Sequence, residues 1–158
     1  MTNPSQAISM RVARIRAGDD PELLARMPSG FAILGKHQPE AVRGACMLLP
    51  DPVVSSPNDL GPRQRERFFA DLVLLGDAIL EATGAERINY LVLCNQVPEL
   101  HGHCIPRFSS EDPQKRRLGP FEAYDFGSAR VADAGGVDSE LHSRLKRALE
   151  TALTERDA

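Results

Sequence analysis

Apolar positions recur along this chain with two periods, one of three to four residues and one of two, and the switches between them mark its elements. The clearest three-to-four stripe is Phe68, Phe69, Leu72, Leu75, Ile79 and Leu80. It predicts an amphipathic helix laid on a sheet, begun by Pro62 and a solvated Arg63, Arg65, Glu66 and Arg67, and closed by Gly84. Leu141, Leu145, Leu149 and Leu153 predict a last helix over 138–154. The segment "DDPELLARM", from Asp19, reads as a short helix with Asp20 as N-cap and Pro21 at the first helical position. Strand-like runs cover 30–35, 44–50, 87–94 and 100–108. The polar "KHQPEAVR" reads as a loop, the proline-rich "DPVVSSPNDLGP" as an irregular connection, and "SSEDPQKRRLGP" as a polar loop. The short "NQVPE" between the last two strands implies an antiparallel pair. No internal repeat is visible, and the order predicts one α+β unit.

Composition narrows the classes. The 158 residues suit a single domain, and 42% hydrophobic residues suffice for its core. A net charge of −3 gives no reason to expect nucleic acid or an anionic membrane as partner. No apolar run approaches a membrane span, and the polar first ten residues carry no signal-peptide core. Cys46, Cys94 and Cys104 are odd in number and irregular in spacing, so they read as buried free thiols of a cytoplasmic protein.

The chemistry concentrates in "PELHGHCIPRF", residues 98–108. Only four histidines occur in the chain, and two stand here. In a strand His101 and His103 share a face with Glu99 and Ile105, ~7 Å apart, near enough for both to touch one small anion. Gly102, on the other face, lets a helix or neighbouring strand approach closely. Three readings fit: two hydrogen-bonded, partly buried histidines; a metal site with Glu99 as a third ligand; or phosphoryl chemistry with one imidazole as nucleophile and the other as anion donor. His37 and His142 stand alone and read as solvent-exposed.

"HGHCIPR" resembles the signature of the histidine triad superfamily, His-x-His-x-His followed by two apolar residues and often Pro-Arg. The likeness runs from about Ser29 to Phe108 through "SGFAILG", "LLPDPVV" and "RINY", with a weaker continuation at "GPFEAYDF". It implies an antiparallel sheet of four or five strands with a long helix and a C-terminal helix. The single domain would span 1–158, with its core at 29–108 and a C-terminal extension.

Residue by residue, the resemblance places His101 at the family's nucleophile and His103 at the phosphate-contacting third histidine. Glu99 occupies the first triad position, a departure. Asn95 and Gln96 fall in the loop that sets amide groups near the phosphates, and Asn89 matches the strand asparagine. The ribose-binding position falls near Gly35 or Lys36, neither a bidentate partner. Arg107 either adds positive potential near the phosphates or lies on the surface, and Glu99 either raises a neighbouring histidine's proton affinity or is a solvated carboxylate.

The implied reaction is hydrolysis or transfer at the α-phosphate of a dinucleoside polyphosphate or nucleoside phosphoramidate, through a nucleotidyl-histidine. It needs no cofactor and no metal. A catalytically weak nucleotide- or protein-binding module is the alternative. The resemblance also implies a homodimer; strand 87–94, apolar at nearly every position, either pairs at an exposed edge near the long helix across a two-fold axis or is central in a monomer and covered by helices.

Overall fold

The computed structural model describes residues 4–157. Its elements, in chain order, are α1 (Ala7–Arg16), β1 (Leu23–Met27), β2 (Gly30–Leu34), β3 (Cys46–Pro50), α2 (Pro62–Thr83), β4 (Arg87–Leu91), β5 (Gly102–Arg107), two single turns α3 (Pro113–Arg116) and α4 (Pro120–Ala123), and α5 (Ser139–Arg156). The five strands form one antiparallel sheet in the order β1-β2-β3-β5-β4.

The two faces of the sheet are covered differently. Ala32, Leu34, Cys46, Leu48 and Cys104 pack under α2 and α5, against Phe68, Leu72, Leu75, Ile79, Leu141, Leu145 and Leu149. This is the main core. On the opposite face α1 brings Ile8, Val12 and Ile15 against Phe31, Ile33 and Leu49. Strand alternation sends successive side chains to these two layers, so β2 is buried at all five positions.

The long helix runs as its stripe predicts, with Pro62 in the first turn and Gly84 as a left-handed C-cap at φ 70°. Phe69, however, points outward with 41% of its surface exposed. Gly102 has the role expected of it. A Cβ there would lie 2.6 Å from Leu72 Cδ1 and 3.5 Å from Phe68 Cζ, so its hydrogen lets α2 lie directly on β5.

Several expectations are corrected. Residues 19–27 hold no helix. Leu23–Met27 is the edge strand β1, paired with β2, and a register shift lies between Leu23 and Ala25. That irregularity turns both Leu24 and Met27 inward, three apart, which imitates a helical stripe. Asp20 Oδ1 accepts from the Glu22 amide in a turn, not in a helix cap. Strands 87–94 and 100–108 are shorter than expected, leaving 92–101 as an extended connection. His37 and His142 are half-buried, not exposed. His37 Nδ1 lies 3.2 Å from the Ala129 carbonyl, and His142 Nε2 lies 2.9 Å from the Leu23 carbonyl. Cys46 and Cys104 are buried and Cys94 partly buried, all as free thiols, and burial raises the pKa of the first two.

Candidate active site

The register builds the site. Ile33 pairs with Met47, Met47 with His103, and His103 with Leu91, so these four side chains form one row across the sheet. The row lies on the α1 side. His101 stands immediately before β5 and keeps 7% of its surface exposed. The two imidazoles meet edge to face, with ring centroids 5.0 Å apart at 81°.

His101 has a defined tautomer. Its Nδ1 lies 2.7 Å from the carbonyl oxygen of Glu99. A carbonyl only accepts, so Nδ1 carries the proton and Nε2 keeps a free lone pair. The connection after β4 braces this geometry. Cys94 takes a left-handed backbone at φ 54°, and its thiol donates to the His101 carbonyl at 3.6 Å.

Burial, and after it the nearby His101, together push the pKa of His103 down to about 4. His103 is therefore a neutral imidazole at neutral pH, able to donate through one N–H. A cationic His103 is the disfavoured form.

Glu99 is committed to α1. Its Oε1 accepts from the amides of Ile8 and Ser9 at 3.0 and 3.1 Å, and its Oε2 accepts from the Ser9 hydroxyl. The helix lacks a side-chain cap of its own at Gln6, so Glu99 serves as the N-terminal acceptor from 90 residues away. Neither a solvated carboxylate nor a partner for the histidine rings describes it.

Arg107 is likewise spoken for. It is 5% exposed, and all five of its N–H donors are used. Nε and Nη2 contact the Glu111 carboxylate at 3.0–3.2 Å. Nη1 donates to Asn89 Oδ1 and the Leu118 carbonyl, each at 2.7 Å, and Nη2 donates to the Lys115 carbonyl at 3.0 Å. Burial opposes the charge on Glu111, but hydrogen bonds from Arg107 and Tyr124 outweigh it and hold the carboxyl below its usual range. Asn89 thus braces Arg107. Asn95 and Gln96 are exposed in the connection before the histidines.

Two aromatic residues enter the site without a local sequence signal. The Phe121 ring lies 5.1 Å from His103 at 80°, and Phe126 lies 4.9 Å from Phe121. The only hint was the "GPFEAYDF" continuation. Among the described residues, no three of His, Cys, Asp and Glu converge as metal ligands. An open groove of about 560 Å³ between α2 and α5 lies across the sheet from the histidines.

No family model and no curated protein matches the chain. Solved structures do. A histidine triad protein from Sinorhizobium meliloti is 24% identical, with 88% of this chain and 94% of that one aligned at a TM-score of 0.63. A hypothetical histidine triad nucleotide-binding protein from Sulfolobus tokodaii is 14% identical, over 90% and 92% of the two chains, at 0.68. A zinc-bound histidine triad family protein from Mycobacterium smegmatis is 19% identical, over 94% of each chain, at 0.60. The five-stranded antiparallel sheet and its helices are those of the histidine triad fold, and this chain has that fold.

Proposed function

We propose that the protein is a nucleotide hydrolase or transferase acting at an α-phosphate through His101. The observation that carries this reading is the bond from His101 Nδ1 to the Glu99 carbonyl, which leaves Nε2 unprotonated beside a second imidazole. Nε2 attacks the phosphorus, a P–N bond forms, and the bond to the leaving group breaks. The neutral His103 donates an N–H to a phosphoryl oxygen as charge develops there. Water then attacks the same phosphorus, releasing a nucleoside monophosphate and the free imidazole. Asn95 and Gln96, exposed in the connection before the histidines, would offer their side-chain amides to phosphate oxygens in this reading. Glu99, Arg107 and Asn89 act as supports, not as ligands, and no metal is needed.

The whole chain, 1–158, works as one unit in this reading, in the cytoplasm and as a homodimer. Strand β4 lies at the open edge of the sheet, and Tyr90, Leu93, Phe69 and Val73 stay 40–52% exposed there and on α2. The substrate is a dinucleoside polyphosphate or a nucleoside phosphoramidate. Incubation of purified protein with each compound, with AMP release followed by chromatography, tests the activity. Release by the wild type and its loss in His101→Ala is the expected outcome.

A second reading is a binding module without turnover. It is favoured by the complete engagement of Arg107, which leaves that cation unavailable to a transition state. AMP binding with no product from any substrate in the panel would select it.

A further inference from the structure

Phe121 stands beside the histidines and has no part in the reaction above. Its ring lies within about 10 Å of that of His101, through His103. Unlike the buried Val42, Ala45 and Ile105 nearby, it keeps 39% of its surface exposed. Its contact with His103 sets it apart from other exposed apolar side chains such as Phe69 and Val73 on α2.

The ring is also held firmly from both sides along the chain. Before it, the carbonyls of Lys115 and Leu118 accept from Arg107. After it, the Tyr124 hydroxyl donates to Glu111 Oε1 at 2.6 Å, and the Tyr124 amide donates to the Pro120 carbonyl at 3.0 Å. The Lys115 ammonium lies 5.5 Å from the Tyr124 ring. Both anchors reach the same buried Arg107–Glu111 pair, which is itself rooted in β5. A partly exposed aromatic ring on so braced a segment is pre-organised to receive a flat partner.

Resting on the reading of His101 as nucleophile toward a nucleotide, we propose that Phe121 is a specificity-determining residue whose exposed ring stacks on the base of that nucleotide. Stacking uses the π-face that every base has, so it discriminates by ring area and not by hydrogen-bond pattern. The enzyme then accepts several bases, purines above pyrimidines, and disfavours substrates that lack a base.

The test compares adenosine 5′-phosphoramidate with ribose 5-phosphoramidate, which has no base, for wild type, Phe121→Leu and Phe121→Trp. Leucine keeps apolar bulk and removes the aromatic face; tryptophan keeps the face. Phe121→Leu is expected to cut the preference for the adenosine compound about ten-fold, through KM and not kcat, while Phe121→Trp keeps it. An equal loss on both compounds, or a fall in kcat alone, would mean that Phe121 only positions His103 and would overturn the proposal. If wild type hydrolyses neither compound, phosphoramidates are not its substrates, and AMP binding by calorimetry decides the stacking alone. Weaker binding by Phe121→Leu then supports it, and equal affinity or no binding by wild type overturns it.

Discussion

Glu99 faces two ways: its main-chain carbonyl fixes the proton of His101, and its carboxylate caps α1. The His101 imidazole and the N-terminal helix are therefore joined through one residue. Glu99→Ala should release the α1 amides and cost about 1 kcal/mol of stability, as losing a helix cap does. The backbone carbonyl survives, so activity should fall far less than in His101→Ala. Thermal melts and ¹⁵N NMR of His101 check this. A variant as inactive as His101→Ala, with its Nδ1 proton still in place, would show that the carboxylate itself acts in the reaction.

Arg107 is the bolt that ties the segment after β5 to the sheet. Arg107→Ala strands Glu111 in the interior and should destabilise by about 3–5 kcal/mol in denaturant titration. Arg107→Lys should recover little of this, because an ammonium cannot replace a five-donor fork. Full stability in either variant would contradict the role given to the network.

These two residues show what the sequence hides. The α2 stripe, its Gly84 stop and the alternation around Gly102 are local patterns, and they were legible because each element's own packing dictates them. The partners of Arg107 are a loop carboxylate and loop carbonyls, and those of Glu99 are amides 90 residues away, so nothing near either residue announces them. Phe121 reaches His103 only because a polar loop folds back. Helix α1 carries the same local spacing, with Ile8, Val12 and Ile15 four and three apart, but its stripe is short, stands among arginines and has no side-chain cap at Gln6 to mark its start. Strand β1 has the sequence pattern of a helix because its register shift turns Leu24 and Met27, three apart, to the same side.

The pH response follows from His103. Its folded pKa of about 4 lies below the ordinary 6.5, so the unfolded chain binds this proton first as pH falls. The stabilisation is complete above pH 6.5 and is lost progressively toward pH 4. The loss should be on the order of 3 kcal/mol, and His103→Asn should remove that part of the pH dependence of the melting temperature. An unchanged pH profile in His103→Asn would contradict the neutral, buried imidazole.

The open edge of β4 predicts a symmetric dimer, with its apolar patch from β4 and α2 at the two-fold axis. Light scattering at micromolar concentration should give about twice the chain mass of 17.3 kDa, and Tyr90→Glu should halve it. A wild-type mass near 17.3 kDa would rule the dimer out.

The most direct test of the account is to quench a turning-over sample with adenosine 5′-phosphoramidate and map the adduct by mass spectrometry under conditions that preserve phosphoramidate bonds. One adenylyl group on the peptide carrying His101, absent from His101→Ala together with several orders of magnitude of turnover, is the predicted result. Rapid hydrolysis with no adduct on that peptide, and most of the wild-type rate retained by His101→Ala, would contradict it.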